Sequence, residues 1–326
     1  MRIFSKYKYQ IKTVRRKTVL LLLFLPLLLT IFIFRILPIK WVRRFADFGG
    51  RMFYKFGKNS RNRALHNLKL IYGNEVTDIQ LTEMAKASLT ESVKSFFDYM
   101  AYSHVKDKKK YFRLVKVTGE EHLKAAYQRG KGVICLVPHM SSWEFAAITP
   151  PMLGYSTSAA SKAMKMELLE WLMVKFRTRR GMKNITREGS YQALTEVLKR
   201  GECLIIMTDQ DTRVKGVFVD FLGKVAYTPL GASRLLADTD AALVPMAMTR
   251  REDGDYLFTI YPELPATKTG DQAQDLMTNT INQNKILGEM IRKNPTQWVW
   301  MHQRWKTTPE SLDRYLKARA LEKMKK

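Results

Sequence analysis

Cysteine, histidine and acidic charge are all in short supply in this chain. Two cysteines in 326 residues cannot build a disulfide framework. Cys135 and Cys203 both sit in apolar, strand-like runs, where buried structural thiols are expected. That suits a domain facing a reducing compartment. Of five histidines, His66, His104 and His122 have no partner legible in the sequence. Acids number 30 against 56 Lys and Arg, a net charge of +26. Asp209 and Asp211 lie close together, but no histidine or third acid stands nearby, so no metal site is assigned. There is no internal repeat, no low-complexity tract and no clear linker between domains. No recognisable nucleic-acid module accompanies the positive charge.

The charge is uneven. Residues 1–70 hold 17 Lys and Arg and one acid, Asp47. A basic front end beside an apolar segment points to anionic phospholipid more than to nucleic acid. The apolar segment is Thr18 to Phe34, 17 uncharged residues at the short end for a spanning helix. No small-residue cleavage site follows it, so an uncleaved anchor is expected rather than a signal peptide. Lys and Arg flank the segment on both sides and give no orientation. Pro26 permits a kink, and a helix dipping into one leaflet is the alternative to a span.

Residues 40–104 read as helical. Trp41, Phe45, Phe48, Met52 and Phe56 recur at helical spacing with Arg and Lys between them, as on an amphipathic helix lying on a membrane; a core-packed helix is the alternative. Gly73-Asn74 marks a turn, and Ile79 to Tyr102 continues as a packed helix. From residue 111 short apolar runs appear at Leu114–Val117, Val133–Val137, Cys203–Met207, Leu243–Met248 and Leu257–Tyr261. Helix-like patterns separate most of them, and a further one spans Asp271–Lys293. This predicts an α/β fold, a central mostly parallel or mixed sheet flanked by helices. The simplest partition is a basic N-terminus and anchor over 1–39 and one domain over 40–326. Within that domain, 40–104 is the helical membrane-proximal part and 111–306 the α/β core.

The run Gly132–Pro138 leads into His139-Met-Ser-Ser-Trp-Glu144. An imidazole at the end of a buried strand sits where open sheets place ligand crevices. His139 suits general-base work at neutral pH, and Glu144 could orient it by accepting from the other ring nitrogen. On one continuous helix the two would lie roughly 140° apart and could not meet. They could meet if the helix begins after His139. Ser141-x-x-Glu144 also matches a capping box, which would make Glu144 a helix cap and His139 a turn residue. The spacing alone leaves both readings open.

The ordered motifs resemble those of the lauroyl/myristoyl acyltransferases of bacterial lipid A biosynthesis, within the lysophospholipid acyltransferase superfamily. They are Arg63-x3-Asn67-Leu68, His139-x4-Glu144, Arg187, Thr208-Asp-Gln-Asp211, Val217–Gly223, Thr228-Pro-Leu-Gly231 and Pro295-x-Gln-Trp-x-Trp-x-His302-x-Arg304-x-Lys306. Trp305 departs from the pattern expected of many members. The resemblance implies transfer of a fatty acyl chain from acyl carrier protein to a hydroxyl of a lipid A precursor, with no cofactor beyond that co-substrate. It places the enzyme at the bacterial inner membrane with its catalytic domain on the cytoplasmic side. It implies a catalytic pair at His139 and Glu144, and an arginine near the site at Arg187. Asp209, Gln210 and Asp211 would cradle the acceptor or orient His139. Phe221, Gly223, Thr228 and Gly231 would shape a lipid crevice, with packing as the competing role.

Two other functions compete. One keeps the chemistry and changes the acceptor to a lysophospholipid, glycolipid or ornithine lipid. The other is a non-catalytic, membrane-anchored polyanion-binding protein, which the clustering of charge at the membrane end disfavours.

Overall fold

The computed structural model describes residues 25–161, 166–186, 191–212 and 214–324. The short apolar runs become parallel or near-central strands because each is flanked by a helix that returns the chain over the sheet. In chain order the strands are β1 (Val115–Thr118), β2 (Val133–Leu136), β3 (Thr157–Ser161), β4 (Met182–Thr186), β5 (Cys203–Ile206), β6 (Gly216–Phe221), β7 (Lys224–Pro229), β8 (Ala242–Arg250) and β9 (Tyr256–Ile260). Seven form one sheet in the order β1-β9-β8-β2-β5-β3-β4. Every neighbouring pair is parallel except β8–β9, so the sheet is mixed. The antiparallel pair β6–β7 stands apart as a hairpin.

The helices are α1 (25–36 as described), α2 (Ile39–Phe56), α3 (Lys58–Tyr72), α4 (Asp78–Tyr102), α5 (Lys108–Leu114), α6 (Glu120–Gln128), α7 (Trp143–Leu153), α8 (Glu167–Thr178), α9 (Tyr191–Lys199), α10 (Gly231–Asp238), α11 (Gln272–Lys293) and α12 (Pro309–Met324). Helices cover both faces of the sheet. On β2, Val133 and Cys135 face one apolar core while Ile134 and Leu136 face the other. Alternation on a strand buried on both sides explains why its sequence reads as a continuous apolar run. Both cysteines are free and buried, and burial pushes the Cys135 thiol up.

Strands β3, β4, β6 and β7 are not legible as apolar runs. β3 reads Thr-Ser-Ala-Ala-Ser and β4 Met-Lys-Asn-Ile-Thr, at one end of the sheet. Small and polar residues there give no hydrophobic signal, and sheet pairing decides instead. The β6–β7 hairpin turns through Leu222 (φ 60) and Gly223 (φ 86), a pair of left-handed residues typical of a two-residue hairpin loop.

α4 starts where Thr77 and Gln80 form a reciprocal capping box. α2 packs on it through its small side. Val42, Ala46 and Gly50 are buried, and a Cβ at Gly50 would come within 2.7 Å of Thr90. The aromatic stripe points the other way: Trp41, Phe45, Phe48 and Phe56 are 44, 50, 56 and 70% exposed. A core-packed stripe is thereby excluded.

The spanning anchor is not supported. Residues 18–24 lie outside the described residues, and among the described residues no helix is long and apolar enough to cross a membrane. α1 ends at residue 36, ahead of Pro38; the Arg35 guanidinium reaches sideways to Ser103, and the chain restarts in α2 at Ile39.

Candidate active site

β2 and β5 pair in register, with Leu136 opposite Ile206. His139 lies three residues past the end of β2 and Asp209 three residues past the end of β5. Equal extensions from adjacent parallel strands bring the two side chains together at the carboxyl edge of the sheet. Asp209 Oδ1 lies 2.7 Å from His139 Nδ1. Asp209 Oδ2 accepts from the His139 backbone N–H at 2.7 Å and from the Trp298 indole N–H at 2.8 Å.

Asp209 is completely buried. Burial alone would push its carboxyl up, but the His139 charge and these donors outweigh that and hold it at about 2. It is therefore ionised near neutrality and can only accept. Nδ1 of His139 then carries the proton, and Nε2 keeps its lone pair. This tautomer follows from the hydrogen-bond network.

The turn between them is fixed from three sides. Ser141 adopts φ 45, a left-handed conformation costly for a non-glycine residue. Its N–H donates to Gln297 O at 2.7 Å and its hydroxyl to Glu91 Oε1 at 2.7 Å. Glu91 is held in turn by Arg250, which also bonds Asp98 at 2.6 Å. The segment 295–307 closes the third side. Met140 bridges Trp298, and Val299 N–H donates to His139 O. Ser88 donates to Trp298 O at 2.6 Å, and Asn67 to the carbonyls of Trp300 and His302 at 2.8 and 2.7 Å. The early Arg63-x3-Asn67 motif thus acts on the late Trp-x-Trp-x-His motif.

The expected His139–Glu144 partnership is corrected. Glu144 opens α7, and its carboxylate is taken in bidentate fashion by Arg177 of α8, at 2.6 and 2.9 Å. Burial would depress the Arg177 guanidinium, but Glu144 pushes it up instead. The contact with His139 Nδ1 belongs to Asp209. The reason is geometric: strand register carries Asp209 to His139, whereas the start of α7 turns Glu144 toward α8. The capping box is corrected as well. Ser142 is the N-cap and makes no side-chain capping bond, while the Ser141 hydroxyl is spent on Glu91.

The other expected residues divide. Arg187 lies outside the described residues. Gln210 is half-buried beside Asp209. Asp211 faces the closing segment: its Oδ2 accepts from Thr307 N–H at 2.9 Å and its carbonyl from Lys306 at 3.2 Å. Phe221 and Thr228 are buried in packing rather than lining a crevice. Phe221 stacks under the Arg304 guanidinium at 4.4 Å and packs on Trp298 and Trp305. Thr228 accepts from Arg304 at 2.6 Å and from Asn284 at 3.1 Å. Gly223 makes the hairpin turn and Gly231 opens α10; a Cβ at either would meet nothing. His104 lines a separate cavity, whereas His302 stands edge-on to His139 with ring centroids 5.8 Å apart. Burial, then the His139 charge, pulls its imidazole down to about 4. Trp143 lies 5.7 Å from His139, ring to ring.

Arg177, Trp298, Ser88 and Glu91 were not singled out by spacing. Only the Trp298 motif left a trace, as part of an ordered aromatic and basic cluster. Among the described residues no three His, Cys, Asp or Glu side chains converge as metal ligands would. What the arrangement can do is accept a proton on His139 Nε2 while a buried anion stabilises the resulting imidazolium.

Such a strand-end imidazole with a buried carboxylate behind it is equipped for proton abstraction from a hydroxyl. The chain belongs to the bacterial lipid A biosynthesis acyltransferase family, whose model matches residues 9–307. It is similar to the phosphatidylinositol mannoside acyltransferase of Mycobacterium tuberculosis (strain ATCC 25618 / H37Rv), 26% identical over 83% of this chain and 84% of the relative. It is also similar to two enzymes of Escherichia coli (strain K12). The lipid A biosynthesis palmitoleoyltransferase is 29% identical over 59% of this chain and 62% of the relative. The lauroyltransferase is 26% identical over 61% and 64%. The family makes the protein an acyltransferase, with relatives named for lipid acceptors.

Proposed function

We propose that the protein moves a fatty acyl chain from the thioester of acyl carrier protein to a hydroxyl of a lipid A precursor, at the cytoplasmic face of the inner membrane. The observation that carries this reading is the His139–Asp209 contact, which leaves Nε2 as a free base. His139 takes the acceptor proton as the hydroxyl oxygen attacks the thioester carbonyl. The C–S bond then breaks, and the imidazolium returns the proton to the departing thiolate. Asp209 stays ionised and stabilises the imidazolium throughout. No covalent acyl-enzyme is needed, since the Ser141 hydroxyl is committed to Glu91 and Ser142 is buried. The net charge of +26 suits an acidic protein donor.

A second reading keeps every step and changes the acceptor to another glycolipid. The long match to a phosphatidylinositol mannoside acyltransferase favours it. The test is acyl transfer by the purified protein, read by mass spectrometry of the product. Acyl carrier protein and coenzyme A thioesters are compared as donors, and a lipid A precursor and a mannosylated phosphoinositide as acceptors. His139→Ala is expected to lose roughly 10²–10⁴-fold in turnover while remaining folded. Near-wild-type turnover in that variant would end the mechanism. A product formed only on the mannolipid would replace the first acceptor by the second.

A further inference from the structure

A cavity of about 510 Å³ opens where the end of α1 meets α4 and α5. None of its lining residues belongs to the His139 site. One wall is apolar, with Phe34 and Leu37, and the other is basic, with Arg35, Lys110 and Arg113 as cations and His104 beside them. The single acid on the lining, Asp255, is already paired with Arg43 at 2.9 Å. Among the described residues no ion pair engages Arg35, Lys110 or Arg113. The half-buried Arg35 spends Nε and Nη2 on the Ser103 hydroxyl, at 3.2 and 2.9 Å. His104 is held below its ordinary value, first by burial and then by Arg35, Arg180 and Lys110, against one backbone bond. Elsewhere the buried Arg177 and Arg250 have carboxylates, and the buried Arg180 and Arg304 spend their donors on backbone carbonyls and a hydroxyl. Here Arg35, Lys110 and Arg113 converge without a carboxylate partner among the described residues, so the cavity presents positive charge that an anion can pair.

The surroundings specify which anion. α1 runs away from the cavity with Leu25, Leu29, Phe32, Ile33 and Ile36 between 43 and 67% exposed. The aromatic stripe of α2 is exposed on the next helix. Apolar chains beside a cationic hole match a molecule with an anionic head and acyl tails. We propose that this cavity binds the phosphate headgroup of an anionic glycerophospholipid in the bilayer, with its chains lying along the exposed face of α1. The site holds the protein against the membrane and takes no part in acyl transfer.

The test uses the full-length protein in detergent, with native mass spectrometry counting retained lipid and phosphatidylglycerol or phosphatidylcholine as probes. Wild type is expected to retain one phosphatidylglycerol and little phosphatidylcholine. Lys110→Gln/Arg113→Gln, both exposed and expected to fold, should lower that retention roughly tenfold or more. Lys55→Gln/Lys58→Gln removes equal charge away from the cavity and should retain the lipid. Equal retention by the two double variants, or equal retention of both lipids by wild type, would overturn the assignment. So would full displacement of phosphatidylglycerol by inorganic phosphate, which would make the cavity a site for the free ion. None of these outcomes depends on acyl-transfer activity, so the site and the enzymatic reading stand or fall separately.

Discussion

The two carboxylates that the sequence offers to His139, Asp209 and Glu144, do different things. Asp209 is fully buried at the end of β5 and takes three donors, one of them an imidazole whose other nitrogen is free. Glu144, at the start of α7, takes two donors from a guanidinium. An Asp–His pair can pass a proton through the imidazole, because His changes charge near neutrality. A Glu–Arg pair cannot, because the arginine never releases its proton. Strand register, not proximity in sequence, decides which acid meets the imidazole and which ties α7 to α8.

The largest test of that contrast is Asp209→Asn. An amide can still accept from the backbone and Trp298, but it no longer stabilises an imidazolium. It can also force the other imidazole tautomer. Turnover should fall roughly 10²–10⁴-fold with little change in KM. A variant with wild-type turnover would return the orienting role to Glu144.

Glu144→Gln is expected to act on stability instead. Arg177 would keep its charge in a site only 13% exposed. Removing one partner of such a pair costs roughly 2–4 kcal/mol, read as a lowered denaturant midpoint. Glu144→Gln/Arg177→Met should recover most of the loss, since no unpaired charge remains. The pH dependence of turnover in the single variant should keep its shape. A shifted acid limb would show that Glu144 reaches the imidazole after all.

Much of this was legible before any coordinates. The helix-like patterns between the apolar runs include α6, α7 and α9, and the pattern over Asp271–Lys293 is α11, Gln272–Lys293. The five apolar runs all became strands, and His139 stands at the end of one. The sequence offered both Glu144 and the Asp209–Asp211 run as partners of His139 but could not choose between them, because H-x4-E spacing describes one chain segment while Asp209 arrives 70 residues later through strand register. No local pattern reveals that β2 and β5 are neighbours. Small-residue strands such as β3 lacked the hydrophobic signal altogether. The aromatic stripe of α2 was visible, but which side it faced depended on the close approach that Gly50 permits to α4.

Trp298→Phe sharpens the contrast at lower cost. It keeps most of the ring that packs on Phe221 and Trp300 but deletes one donor to Asp209. A hydrogen bond to a buried charge is worth roughly 1.5–3 kcal/mol. The Asp209 carboxyl should rise from about 2 toward its ordinary range, and turnover should fall about tenfold. A drop in stability with unchanged turnover would make Trp298 a packing residue only.

The smallest expected effect concerns His302, which shares the site with His139 but has no carboxylate. Its folded value of about 4 lies below the ordinary 6.5. Between those values the unfolded chain binds a proton that the folded protein refuses. Stability therefore falls as pH drops from about 6.5 to about 4, and this group adds no further loss below that. Asp209 contributes nothing to the change in that window, because its own contribution is lost only as pH falls from its ordinary value of 3.8 toward about 2. His302→Gln removes the titrating group. Its melting temperature should decline less than that of wild type between about pH 7 and about pH 5, measured at matched ionic strength. Identical declines would mean that His302 titrates alike in the folded and unfolded chains. Neutrality at His302 matters to His139 because a second imidazolium at 5.8 Å would oppose the charge that Asp209 is placed to stabilise.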